Sequence, residues 1–281
     1  MPKKKPREAN NPALGNSSGN SESKTQRDPA PAVTRALRIL DLLAGTPGPL
    51  TLSDIARSLE VPKSSCVNLC LALEAGGMIR KASDGFTLDR KTAELGSAYV
   101  SEFSQMREFF NLTGASPTLR TEVVQLVMLD GDQALYLARH EGKKPYRIGT
   151  PLGSRLPAVF SAAGRALLAE ADEDFLNKHV LPTLPLTSPV GGKTLDAPLL
   201  HQRLNEVREN KYALDPGLST PGVGGVAVSV SPWAPGDPTF AMGVAIPLHE
   251  LTERRIAEVS TALREIAAQL ENPWKVRNSR S

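Results

Sequence analysis

Between Thr51 and Arg80 the chain reads TLSDIARSLEVPKSSCVNLCLALEAGGMIR, and Lys63, Ser64, Ser65 and Asn68 within it have the types and spacing to meet a nucleic acid. Ser64 and Asn68 share one side of a helix, opposite an i, i+3, i+4, i+7 stripe of Cys66, Leu69, Cys70 and Leu73. Hydroxyls and backbone N–H groups near a helix start suit phosphate, and an asparagine amide pairs bidentately with adenine in the major groove. Lys63 and Ser65 sit on the flanks of that face. The helix in front has Leu52, Ile55, Ala56 and Leu59 as its apolar side, with Ser53 as the expected N-cap and a further candidate at the DNA interface. Val61 and Pro62 break the run, Pro62 falling where the first turn of the second helix tolerates it. Gly76 and Gly77 end that helix. Met78 to Lys81 then reads as a strand, Ser83-Asp84-Gly85 as a hairpin turn, and Phe86 and Leu88 as the returning strand, with Lys81 a phosphate contact near the tip. The pattern predicts a winged helix-turn-helix. A plain helical hairpin inside a larger core would show the same stripes; the helix in front and the basic wing behind favour the DNA reader.

Other reactive residue types give less. Cys66 and Cys70 lie one helical turn apart on the apolar stripe, and with no further cysteine or nearby histidine they read as core, not as metal ligands. His140, His179, His201 and His249 are scattered without metal-ligand spacing. Gly217-Leu-Ser-Thr-Pro221 stops short of G-x-S-x-G, and Ser219 has no histidine–acid pair identifiable from sequence. Gly222-Val-Gly-Gly225 runs into an alternating strand and not into a helix, which argues against a nucleotide loop. No catalytic, metal or cofactor residue is therefore expected.

The elements that must position these residues follow from the whole chain. A length of 281 residues predicts about two domains, and a formal charge of +3 suits a DNA reader diluted by a neutral domain. No apolar run approaches the roughly 18 residues of a membrane span, and the N-terminus has no apolar signal core, so a cytoplasmic location is expected. Residues 1–31, with Lys3, Lys4, Lys5 and Arg7 but few apolar side chains, read as a disordered tail. Residues 32–90 form the DNA-binding domain. Its first helix, Ala32 to Ala44, is expected to pack Val33, Ala36, Leu37, Leu40 and Leu43 behind the helix-turn-helix. Residues 91–110 read as a linker helix, Thr92 to Phe110, whose face of Leu95, Ala98 or Tyr99, Glu102 or Phe103, Met106, and Phe109 or Phe110 wants a second copy of the chain.

From 111 to 272 the texture is mixed. Strands are expected at Val123 to Leu129, Ala134 to Arg139, Tyr146 to Gly149, Gly225 to Ser231 and Thr239 to Ile246, with a loop over 149–157. Helices are expected from Ser161 to Leu168, Asp172 to Val180 and Asp196 to Asn210, and a last one carries Ile256, Val259, Leu263, Ile266 and Leu270. This is an α+β fold, an antiparallel sheet with flanking helices; residues 273–281 are a tail.

These segments resemble the isocitrate lyase regulator (IclR) family of bacterial transcription factors over about residues 32 to 272. The resemblance rests on AVTRALRILDLL, LSDIARSLEVPKSS, LALEAGGMIRK, ELGSAYV, LYLARHE, GSRLPAVFSAAGRALLAE, VREN with KYALD, and STPGVGGVAVSV, in order. It implies a winged helix-turn-helix dimerised through the linker helix, a GAF-like effector domain, and often a tetramer on a palindromic operator. Carried over residue by residue, the effector positions are Ala162 and Ala163 at a helix start, Asp215, Gly225, and, to within one residue, Val244 and Ile246. Sheet core is the alternative reading of the last two. Aliphatic Val244 and Ile246, with Gly224-Gly225 in place of the family's Arg-Cys pair, imply a roomier, greasier cavity for an aromatic or larger aliphatic acid. The helix N-terminus offers N–H groups to its carboxylate. A ligand-independent DNA-binding protein, and less so an enzyme built on the second domain, are the competing readings.

Overall fold

The structure, a computed structural model, describes residues 28–101, 104–143, 149–233 and 236–271. The expected N-terminal basic tail, Glu102, Phe103, most of the strand at Tyr146 to Gly149 and the C-terminal tail lie outside them. A division into two compact units falls between Leu88 and Asp89.

The first unit holds α1 (Pro31–Gly45), α2 (Leu52–Ser58), α3 (Lys63–Ala75) and a hairpin of β1 (Ile79–Ala82) and β2 (Gly85–Leu88). Ile39, Leu43, Ile55, Ala56, Leu59, Cys66, Cys70 and Ile79 make its core. The inward stripe of α1 is rotated from the expected one. Ile39 and Leu43 are buried and Leu40 packs on them, while Val33 and Leu37 are 59% and 57% exposed. The cap of α2 also differs. Thr51, not Ser53, holds the N-cap: its hydroxyl accepts the Asp54 N–H at 3.2 Å, and the Asp54 carboxylate accepts the Thr51 N–H at 3.3 Å. Pro62 is the N-cap of α3 and lies one position before its first turn. Leu50 and Phe86 exchange main-chain bonds at 3.0 and 2.8 Å, tying the segment before α2 to the hairpin. That approach requires Gly85, where a Cβ would stand 2.3 Å from the Leu50 carbonyl oxygen.

The second unit begins with α4 (Arg90–Ser101) and α5 (Ser104–Ala115), the two residues between them lying outside the described set. Met106 and Phe109 of α5 are buried in this unit's own core, whereas Leu95, Tyr99 and Phe110 are exposed. Next come β3 (Val124–Asp130), β4 (Gln133–His140), β5 (Arg155–Pro157), α6 (Ala162–Glu170) and a short α7 (Glu173–Phe175) that loosens into a π turn over Leu176–Val180. A small hairpin of β6 (Leu186–Thr187) and β7 (Thr194–Leu195) leads to α8 (Ala197–Asn210), β8 (Ala213–Thr220), β9 (Val223–Val230), β10 (Phe240–Pro247) and α9 (Glu253–Leu270).

Among the described residues six strands form one antiparallel sheet in the order β5-β4-β3-β10-β9-β8. One face packs a core with α6 and α8, including Val127, Ala227 and Ala241. The other packs on α5 and α9 through Leu126, Val226, Met242, Val259 and Leu263. Two strands of this sheet were not expected, β5 inside the 149–157 loop and β8, which runs through Asp215-Pro216-Gly217, and neither was the small β6–β7 hairpin. The register of β8 on β9 jumps from Asp215 opposite Gly225 to Thr220 opposite Val223, so β8 bulges beside the sheet.

Candidate functional site

In the first unit α3 presents a polar face. Lys63, Ser64 and Asn68 are exposed and Ser65 is half-buried. Among the described residues no partner takes up the side chain of Ser64, Ser65 or Asn68. Cys66 and Cys70 anchor the opposite side, their sulfurs 4.0 Å apart. Burial pushes the Cys70 thiol up to about 12, with Cys66 and Glu74 adding to the rise. Both therefore serve as core. Lys81 is exposed on β1 and walls a cleft between the hairpin and α3. Ser53 is half-buried inside α2, away from the role of cap.

In the second unit a cavity lies between the start of α6 and the strands β3, β4, β8, β9 and β10. The space that water centres can occupy is about 50 Å³. Ala162, Ala163, Asp215 and Gly225 all border it, as does the main chain near Val244. Ser161 caps α6 by accepting the Gly164 N–H at 2.9 Å, leaving the Ala162 and Ala163 amides as the orphan donors of the helix start. Gly164 lets α6 sit this deep, since a Cβ there would lie 2.2 Å from the Ala158 carbonyl oxygen.

The strand positions differ from expectation by one residue. The side chains of Val244 and Ile246 are packed in the α9-side core, because strand side chains alternate between faces. Gly243 and Ala245 face the cavity instead. The Gly224-Gly225 pair splits likewise. A Cβ at Gly224 would stand 2.8 Å from the Asp215 carbonyl oxygen, so that glycine serves close packing. A Cβ at Gly225 would come 3.3 Å from the Val244 carbonyl oxygen and 3.7 Å from the Cβ of Ala162, so that glycine eases both the approach of β10 and the space before the helix start.

The walls are more polar than the aliphatic strand positions led us to expect. Sequence reading missed Gln125, Tyr136, Thr150, Ser161, Ser219 and Thr220, all of which line the cavity. The Gln125 amide donates to the Thr150 carbonyl at 2.6 Å and accepts its N–H at 3.3 Å, clamping that segment over the cavity. Burial pushes the Tyr136 phenol above the ordinary range, with the neighbouring Thr150 and Ser161 side chains pulling the other way. Alternation along Gln133 to Tyr136 was the available signal for Tyr136; nothing local marked Gln125 or Thr150.

Asp215 is buried, and its own loop occupies it. Oδ1 accepts the N–H groups of Gly217 at 2.9 Å and Leu218 at 2.7 Å, while Oδ2 accepts the Ser219 N–H at 3.4 Å and the Ser219 hydroxyl. Four acceptor positions are thereby filled. Asp215 thus positions the bulge, and the Ser219 oxygen keeps its lone pairs for a ligand donor. Behind it Arg165, fully buried, donates to the Val159 carbonyl at 2.7 Å and the Leu214 carbonyl at 2.5 Å, tying α6 to β8. Burial lowers its guanidinium to about 10, against the pull of Asp215. Among the described residues no histidine lines the cavity, and no group of three or more His, Cys, Asp or Glu is placed to hold a metal ion. No helix among them is long and apolar enough to cross a membrane.

Comparison with known proteins places both halves. Residues 114–272 match the family described as bacterial transcriptional regulator IclR C-terminal, and residues 32–83 match the IclR helix-turn-helix domain. Relatives include the HTH-type transcriptional repressor AllR of Salmonella paratyphi A, 29% identical over 259 residues, covering 90% of this chain and 92% of that one. The AllR of Escherichia coli K12 is 28% identical over 250 residues, covering 86% and 89%. Among solved structures, an IclR transcriptional regulator from Alicyclobacillus acidocaldarius superposes with a TM-score of 0.75 at 25% identity, covering 85% of this chain and 97% of that one. An IclR homologue from Microbacterium hydrocarbonoxydans, crystallised with 4-hydroxybenzoate, gives 0.70 at 23% identity with the same coverage.

Proposed function

This chain belongs to the IclR family of bacterial transcriptional regulators, and we propose that within it the chain acts as a ligand-responsive repressor whose effector is a compact, polar organic acid. The observation that carries the reading is the unspent polar face of α3, Ser64 and Asn68 exposed with Lys63 and Lys81 around them, in a unit separate from a lined cavity. Hydroxyls and cations at that helix start hold phosphates, and the Asn68 amide reads a base edge. The AllR relatives carry the name of repressors, which supports repression as the direction. The solved homologue with 4-hydroxybenzoate supports an acid as the ligand class.

In the cavity, the Ala162 and Ala163 amides and the dipole of α6 receive the carboxylate. Ser219, Thr220, Tyr136 and Gln125 line the remainder and favour hydroxyl, oxo or amide groups on the acid. The space open to water centres is only about 50 Å³, which favours a small acid over a large aromatic one. Two identical chains present their α3 helices to the half-sites of an inverted repeat. The exposed Val33 and Leu37 of α1 and Leu95 and Tyr99 of α4 supply apolar surface for that pairing. The acid shifts operator affinity by binding more tightly to one arrangement of the pair.

The test is footprinting of the promoter next to this gene with and without a panel of two- to eight-carbon acids. A symmetric footprint that weakens with one acid is expected. Protein that protects no sequence, or protection indifferent to every acid that binds the protein, refutes the reading.

A further inference from the structure

The reading face of α3 carries more than polar groups. Ser64, Val67, Asn68 and Leu71 follow one another at i, i+3, i+4 and i+7 and so form one stripe, opposite the buried Cys66 and Cys70. Val67 is 36% exposed and Leu71 56%. Single exposed aliphatics are ordinary. Two of them a turn apart, interleaved with the hydroxyl and the amide aimed at base edges, are a pattern.

The edges that a helix meets in the major groove offer donors, acceptors and one apolar group, the C5-methyl of thymine. Guanine is read best by a forked arginine or a lysine, and the sequence of α3 contains no arginine and only Lys63, at its first position. What remains on the stripe is an amide suited to adenine, a hydroxyl that suits either base type, and two aliphatic side chains. Val67 is branched at Cβ, which fixes its methyl groups against the helix and suits it to a defined contact. Exposed Lys63 starts the helix that carries the face, and the cleft toward the hairpin is walled by Val67, Leu71, Lys81 and Phe86, with Glu74 and Asp84 also along it. Duplex DNA is the occupant that fits both the charge and the interleaving.

We propose that Val67 and Leu71 read thymine methyl groups, so that each operator half-site has an A·T core with thymines beside the adenine contacted by Asn68. This rests on α3 being the recognition helix and adds to it the base composition of the site.

The experiment uses the full chain and duplexes selected from a random library. Thymines in the selected half-site are replaced singly by deoxyuridine, which keeps the pairing and removes only the methyl. Wild type is expected to lose about fourfold in affinity at one or two positions per half-site, the value of one buried methyl. Val67→Ala should be insensitive to deoxyuridine at one of these positions and Leu71→Ala at the other; circular dichroism confirms that both variants are folded. Equal binding to thymine and uracil duplexes, with Asn68→Ala still altering base preference, overturns this inference and spares the recognition helix. If Asn68→Ala also changes nothing, the recognition-helix reading falls with it. Variants that bind DNA normally but change the oligomeric state overturn the inference in favour of a protein interface.

Discussion

Replacing Gly243 by valine should silence the proposed effector cavity without disturbing the fold. Gly243 faces the cavity from β10; a Cβ added there would lie 3.4 Å from the Cβ of Ala227 and 3.7 Å from that of Ala163, ordinary contact distances. The backbone therefore accepts the substitution, and valine is a better strand former than glycine. Because Gly243 lines the cavity, the two further methyls reduce its roughly 50 Å³ of space open to water centres, leaving too little for an acid. An acid at 100 times its Kd stabilises the wild type by about 2.7 kcal/mol. At roughly 2–4 °C per kcal/mol for a unit of this size, that is a shift of about 5–11 °C. Differential scanning fluorimetry of wild type and Gly243→Val against a panel of small acids measures it, with a gel-shift titration of operator DNA alongside. The variant should show no acid-dependent shift, an unchanged or raised Tm, and normal DNA affinity. A wild-type shift in the variant would show that the acid binds elsewhere, and the cavity would lose its role.

Three smaller predictions concern the first unit. Thr51→Ala should cost about 0.5–2 kcal/mol in urea unfolding of that unit, because the Asp54 N–H loses its acceptor, whereas Ser53→Ala should fall within the error of the measurement. Lys81→Ala should weaken binding to all DNA sequences alike and reduce the slope of log K against log salt by about one, read by fluorescence anisotropy at several salt concentrations. Cys70 should resist alkylation in the native chain at pH 8 and react on unfolding. Its folded pKa of about 12 lies above the unfolded value near 9.0, so the unfolded state releases its proton first. The stability it supports is complete below about pH 9 and lost as pH rises toward 12, which hydrogen exchange or denaturant titration across that range would register.

The two sites differed in how far the sequence disclosed them, and the cause is physical. The reading face lies on one helix, where a 3.6-residue period puts Ser64 and Asn68 together whatever the rest of the chain does. Even there, period alone left a choice of stripe: α1 offers Val33 and Leu37 as well as Ile39 and Leu43, and only packing against α3 and the hairpin selects the second pair. Capping was legible but misassigned, since Thr51-x-x-Asp54 is a capping box whereas Ser53 has Ala56 three residues on. The cavity, by contrast, is assembled from five strands and a helix start. Its composition depends on strand parity, and a slip of one residue exchanges Val244 and Ile246 for Gly243 and Ala245, an aliphatic wall for an open one. The strand that matters most was hidden by its own punctuation. Pro216 and Gly217 are residue types that ordinarily interrupt a strand, yet they are the bulge of β8, held by the Asp215 carboxylate on the amides of Gly217, Leu218 and Ser219. The acid that the family resemblance assigns to the ligand therefore acts first on the chain itself. It consumes its acceptors in bending β8, and that bend brings the Ser219 and Thr220 side chains to the cavity rim. If the cavity takes the effector as proposed, preference follows from what the bulge presents, so a change at Ser219 should retune selectivity where a change at Asp215 would unmake the site.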